Sequence, residues 1–152
     1  MSDVLLSSAF RLAERIRSGE LTSVAVVEAH IARLRQVNPV INAVVCERVA
    51  DARVEAARAD EEVAAARAAG TLDALPPLLG VPCTIKESFH FAGLPNTAGL
   101  VGRIGRKVAD DAPAVARLRA AGAIPLGVTN TSELCMWMES FNKVYGRSNN
   151  PY

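Results

Sequence analysis

The chain has 152 residues, half of them hydrophobic, which suffices to bury a core and excludes a disordered or fibrous polymer. Seventeen basic residues against sixteen acidic ones leave a net charge of +1, so there is no general electrostatic pull toward nucleic acid or anionic lipid. The cysteines, Cys46, Cys83 and Cys135, are odd in number, widely separated and form no CxxC pair, which argues against a disulfide framework or zinc site and for reduced, mostly buried thiols in the cytoplasm. The N-terminus lacks the uninterrupted apolar region of a signal peptide, and no apolar run is long enough to span a bilayer.

In chain order, Asp3 reads as an N-cap, Leu5, Ala9, Leu12 and Ile16 recur at helical spacing, and Gly19 supplies the stop. Thr22 caps a second helix, with Leu21 and Val26 placed as a hydrophobic staple, and Asn38-Pro39 is expected to end it. His30 lies inside this helix and has no second ligand a turn away, so a structural role is expected. VINAVVC, residues 40–46, reads as a short strand, and residues 47–69 as a long helix stopped by Gly70, its alternating charges forming a solvated face. TLDALPPLLG breaks the pattern and leads into a strand, GVPCTIK; a helix with Pro113 in its first turn follows, and AIPLGVTN returns to a strand. This order points to an α/β layered sheet whose crossover helices link largely parallel strands.

Within GVPCTIKESF, Val81, Cys83 and Ile85 share one face of the strand and Pro82, Thr84 and Lys86 the other, so Lys86 can reach water from the strand's end. The carboxyl ends of strands are also where α/β sheets collect ligands and catalytic groups, and a desolvated lysine there can serve as a base. Glu87 faces away from Lys86 and receives no role. Of the serines that such a base would need, Ser88, Ser132, Ser140 and Ser148, only Ser140 and Lys143 form an S-x-x-K pattern, a weak match without a following K-T-G. LCMWMESF brings Cys135, Met136, Trp137 and Met138 together, which reads as a packed core helix or, since methionines and aromatics suit one, as a surface for a flexible apolar chain. Thr129 and Asn130 end the AIPLGVTN strand, where they position the lysine, position the next loop or simply serve turn chemistry.

LLGVPCTIKESFHFAGLPNTAGL and DDAPAVARLRAAGAIPLGVTNTSELCMWMESFNKVYGRSNNPY together resemble the amidase signature family, most of all its type-2 fatty-acid amide hydrolase members. The resemblance spans residues 79–152, fits residues 1–70 more weakly, and rests on a G-V-P-x-T-I-K-E strand, an N-T-x-G turn, an A-G-A-I-x-L-G-x-T-N strand and a G-x-S-x-N-P approach in the family's order. It implies the N-terminal part of an α/β/α layered fold with a mixed sheet: a single, incomplete amidase domain over 1–152, with a mostly helical region over 1–70 and the start of the family core over 79–152.

Members of the family resembled hydrolyse or transfer amides through a serine, serine, lysine triad, and their lysine falls on Lys86. By that resemblance Lys86 is the general base, kept neutral by burial and hydrogen bonding; Cys135, Met136, Trp137 and Met138 face an apolar acyl chain; and no metal or organic cofactor is needed. Both serines of the family lie in Gly-rich stretches beyond S-N-N-P-Y, and neither stretch occurs in these 152 residues. The expected partners are a small-molecule amide and either a complementary C-terminal amidase segment or a second copy of the chain. The chain is accordingly expected to be the N-terminal segment of a longer serine amidase, with one half of a split amidase or a silent binding remnant as the alternatives. No counterpart of the membrane anchor of the type-2 animal enzymes is visible, which by resemblance implies a soluble relative.

Overall fold

The computed structural model describes residues 2–152 and divides them into two compact units. Unit 1 comprises residues up to Arg33, Arg48–Cys83 and Leu118–Leu126; unit 2 comprises Leu34–Glu47, Thr84–Arg117 and Gly127–Tyr152.

The first helical segment is broken where one continuous helix was expected. Helix α1 spans Ser2–Leu6 and α2 spans Ala9–Ser18, because Ser8 adopts an extended backbone and accepts the Arg11 N–H on its hydroxyl as N-cap. Asp3, the expected cap, instead holds Arg15 at 2.6 Å. Gly19 does end α2, with φ +74° and its N–H on the Ile16 carbonyl. Helix α3 spans Ser23–Ile41; Thr22 accepts the Ala25 N–H at 3.1 Å, and Leu21 and Val26 join one apolar cluster with Leu12, Ile16, Val63 and Val81. His30 bonds the Val26 carbonyl one turn back, a structural role.

Helix α3 continues through Pro39 rather than stopping there. Asn38 makes this possible: its carboxamide oxygen accepts the Ala43 and Val44 N–H groups, its nitrogen donates to the Val44 carbonyl, and its own carbonyl takes the Asn42 N–H. Strand β1 is consequently confined to Val44–Glu47.

Helix α4 spans Val49–Ala69 and lays Ala52, Ala56, Ala59, Val63 and Ala66 along its buried face, a small-residue stripe at helical spacing. At its start, the Arg48 guanidinium bonds both Glu55 oxygens at 2.7 and 2.8 Å and the Pro125 carbonyl at 2.8 Å. Strand β2 covers Pro82–Lys86, helix α5 Pro113–Ala120 and strand β3 Ile124–Thr129.

The sheet order is β1-β3-β2. The Ile124 N–H reaches the Val81 carbonyl and the Glu87 N–H reaches that of Thr129, so β2 and β3 advance in the same direction. Strand β1 pairs antiparallel with β3, Val44 opposite Thr129 and Glu47 opposite Gly127. The sheet is mixed, and the largely parallel pattern holds only for β2 and β3. Strands β4, Phe141–Asn142, and β5, Gly146–Arg147, form a short antiparallel hairpin. Among the described residues no helix is long and apolar enough to cross a membrane.

The two interiors differ in chemistry. Among the described residues, Ser23 is the buried polar residue of unit 1, whereas Glu87, Asn96, Thr97, Asn130, Thr131, Ser132 and Asn142 are all buried in unit 2. Desolvating that many polar groups is tolerated only when each finds a partner. They find them, and no buried side-chain nitrogen or oxygen among the described residues is left unpaired.

Candidate active site

Alternation along β2 sends Lys86 and Glu87 to opposite destinations. Lys86 is exposed at the carboxyl end of the strand, while Glu87 is wholly buried. Glu87 Oε1 accepts from the Thr97 N–H, the Thr97 hydroxyl and the Tyr145 phenol, and Oε2 accepts the Ala98 N–H at 2.8 Å. The Asn96 carboxamide donates to the Glu87 carbonyl, and the Gly99 N–H to the Thr97 hydroxyl. One carboxylate thus holds the 96–99 turn and the tip of the β4–β5 hairpin to the end of β2. Burial, together with the bond to Glu87, pushes the Tyr145 phenol up to about 12.

A second network fixes the loop after β3. Asn130 Oδ1 accepts from the Thr131 N–H and the Asn142 carboxamide, and its Nδ2 donates to the Gly146 carbonyl and the Ser148 hydroxyl at 3.1 Å each. Asn142 in turn donates to the Thr131 carbonyl and accepts the Val144 and Tyr145 N–H groups. Of the roles open to Asn130, this is positioning of the following loop. Thr129 contributes through its backbone, as the acceptor of the Glu87 N–H, and through a 3.5 Å bond from its hydroxyl to the Ile85 carbonyl.

That loop carries the remaining candidates. A single 3-10 turn, Glu133–Cys135, ends at once because Leu134 and Cys135 take φ of +53° and +59°. The LCMWMESF segment therefore does not continue as a helix, and it is no part of a core: Met136, Trp137 and Met138 are 79%, 68% and 89% exposed. The turn brings Cys135 to Lys86, with Sγ 3.6 Å from Nζ and 3.3 Å from the Thr131 hydroxyl. Hydrogen bonds from Thr131 and Ser88, then the Lys86 charge, hold the Cys135 thiol below its usual range. Lys86 is thus partnered by a thiol in an exposed position, at the strand's end where alternation lets it reach water.

The serines are otherwise employed. Ser132 is buried and its hydroxyl accepts the Trp137 N–H, and Ser148 donates to the Asn42 carbonyl at 2.6 Å. Ser140 and Lys143 flank strand β4 instead of sharing a helical turn, so the S-x-x-K spacing has no catalytic geometry here. All three cysteines are free, but none is buried where mostly buried thiols were expected: Cys46 and Cys83 are half-buried and Cys135 is exposed. Among the described residues no three His, Cys, Asp or Glu side chains form a group able to hold a metal ion.

An α/β layered fold with a mixed sheet, a lysine–cysteine contact at the carboxyl end of a strand and a buried polar network around the next residue defines the class of scaffold. The family model described as Amidase matches residues 25–152, and the chain belongs to that family, the amidase signature family. It is 54% identical over 153 residues to fatty-acid amide hydrolase 2-B of Danio rerio, and 49% identical over 150 residues to fatty-acid amide hydrolase 2 of Homo sapiens. Each of these alignments covers 98% of this chain and 28% of the relative, so the chain spans little more than a quarter of their length. Among solved structures, 6-aminohexanoate cyclic dimer hydrolase complexed with substrate matches with a TM-score of 0.81 at 33% identity, over 96% of this chain and 28% of that one.

Glu87 is the residue that sequence reasoning passed over. An acidic residue on the inward face at a strand's end, followed within a dozen residues by a polar Asn-Thr turn, was the available signal.

Proposed function

We propose that this chain supplies the general base and one wall of the substrate site of a cytoplasmic serine amidase, whose nucleophilic and bridging serines come from a segment beyond these 152 residues. The observation that carries the reading is Lys86 at the carboxyl end of β2, above a buried polar network, in a chain of the amidase family. In the proposed cycle Lys86 Nζ takes a proton from the nucleophilic serine by way of the bridging serine. The serine oxygen attacks the amide carbonyl, and the proton passes on to the leaving nitrogen, without which an amine departs poorly. Backbone N–H groups from the missing segment would stabilise the oxyanion.

The substrate class follows from the loop after β3. Met136, Trp137 and Met138, with Cys135 at their base, offer an adaptable apolar surface suited to an acyl chain. The names of the relatives, fatty-acid amide hydrolases 2-A and 2-B among them, support the same reading.

The experiment is amide hydrolysis, preceded by the intact mass of the protein from its native source. A mass well above 16.1 kDa is expected. The longer protein should hydrolyse a long-chain fatty amide in preference to a glutamine-like amide, and Lys86→Ala should lower kcat by about 10²–10⁴-fold. The 152-residue chain alone should show no hydrolysis above background. Turnover by this chain that Lys86→Ala abolishes would overturn the two-segment reading, and a native mass of 16.1 kDa would leave a split enzyme or a silent binding remnant.

A further inference from the structure

A carboxylate is a costly group to bury, and Glu87 is wholly buried with donors that carry no charge: the Thr97 and Ala98 N–H groups, the Thr97 hydroxyl and the Tyr145 phenol. Buried ionic groups add little net stability, and their best-attested use is to select one arrangement of the chain. Three of the four bonds come from the 96–99 turn, and the Thr97 hydroxyl also accepts the Gly99 N–H. The arrangement selected is that turn.

The loop after β3 is built on the turn. Ala98, whose N–H is held by Glu87 Oε2, presents its carbonyl to the Leu134 N–H at 2.8 Å. One residue on, a Cβ placed on Gly99 would lie 2.8 Å from Asn142 Cβ and 3.1 Å from Glu133 Cα, so the turn and the root of the loop meet without a side chain between them. From that root the Met136 N–H bonds the Glu133 carbonyl and the Trp137 N–H bonds the Ser132 hydroxyl. Met136, Trp137 and Met138 are exposed, so their own packing does little to place them and the root decides where they stand.

We propose that Glu87 is a positioning residue for acyl selectivity: through Ala98 and Gly99 it fixes the root of the 133–138 loop, and so sets the preference for a long acyl chain over a short one. The substrate in this statement rests on the amidase reading, whereas the link between Glu87 and the loop rests on the hydrogen bonds and the Gly99 contact alone. A defect at Lys86, or a loss of folded protein, lowers turnover of a long and a short acyl amide by the same factor. A displaced acyl wall changes their ratio.

Trp137 is the single tryptophan of the chain, so fluorotryptophan gives one fluorine resonance that reports on this loop. In the purified chain Glu87→Gln should shift or split that resonance, because in either orientation its amide sets an N–H against a backbone N–H, that of Thr97 or that of Ala98. Leu12→Ala, which opens a cavity in the core of unit 1, should leave the resonance in place. An unmoved resonance in Glu87→Gln, or an equal movement in Leu12→Ala, would overturn the link. In the longer protein, kcat/KM for a long-chain fatty amide divided by that for the acetyl amide should fall about three- to thirtyfold in Glu87→Gln, while Leu12→Ala keeps the wild-type ratio. A ratio unchanged by Glu87→Gln would overturn the selectivity role even if the resonance moves. Should Glu87→Gln fail to fold, Thr97→Val decides, since it keeps the size of the side chain and deletes the hydroxyl that joins Glu87 to the Gly99 N–H. It should move the resonance and lower the ratio several-fold, and no change in either overturns the proposal. A longer protein inactive on both amides before any substitution would count against the amidase reading, and the fluorine resonance would still decide the link.

Discussion

Glu87 is satisfied by four donors, none carrying a formal charge, and this makes its replacement informative. In Glu87→Gln the amide oxygen can keep the Thr97 and Tyr145 bonds, but the amide nitrogen then faces the Ala98 N–H, donor against donor. We expect a loss of about 1–3 kcal/mol in urea denaturation, the cost of leaving a desolvated donor unmade. Tyr145 makes a separate prediction. Its folded value of about 12 lies above the usual phenol value of 10.0, so the folded state holds the proton more tightly than the unfolded chain does. The resulting stabilisation is complete below pH 10.0 and lost as pH rises toward about 12. Stability should therefore fall by about 1 kcal/mol over that range, discounted for partial solvent exposure, and Tyr145→Phe should remove that part of the slope. At this scale the sequence exposed Lys86, because its position after an apolar strand is a local pattern. It concealed Glu87, whose partners lie 10, 11 and 58 residues away.

At the scale of elements, the pairing of β1 with β3 depends on a position without a side chain. A Cβ placed on Gly127 would lie 2.3 Å from the Cys46 carbonyl oxygen and 3.1 Å from Glu47 Cα. Both are backbone atoms tied into the ladder, so neither retreats without opening it. Gly127→Ala should cost about 1–3 kcal/mol or more and appear as a lower Tm. Helix starts and stops were legible where the deciding residue acts on its own neighbours, as Thr22 and Gly19 do. They were misplaced where a side chain overrode the default. Asn38 carries α3 past Pro39 by catching the N–H groups that follow, and Ser8 takes over the cap from Asp3, which is drawn to Arg15. The LCMWMESF segment failed as a helix for a related reason: two left-handed residues end it after one turn.

For the molecule as a whole, charge and exposed apolar surface act together. A net charge of +1 and a pI of about 7.8 leave little electrostatic repulsion between copies near neutral pH. Leu6, Phe10, Val40, Ile104, Met136, Trp137 and Met138 are all exposed, and β1 and β2 are sheet edges. We expect the isolated chain to sediment above 16.1 kDa at micromolar concentration, and a complementary amidase segment, if added, to return it to a defined stoichiometry. A monodisperse monomer by analytical ultracentrifugation would show that these surfaces are tolerated in water.

The amino-acid sequence by itself determined the α/β class, the helical first part, the strands around Ile85 and Leu126, and the lysine at a strand's end, because periodicity, capping and strand alternation are short-range properties of a chain. Only the tertiary structure decided which strands pair and in what register, the burial of Glu87 and the meeting of Lys86 with Cys135 across 49 residues. Those depend on which distant groups satisfy a desolvated carboxylate and which backbone conformations the surrounding bonds enforce, and neither is encoded in the spacing of neighbouring residues.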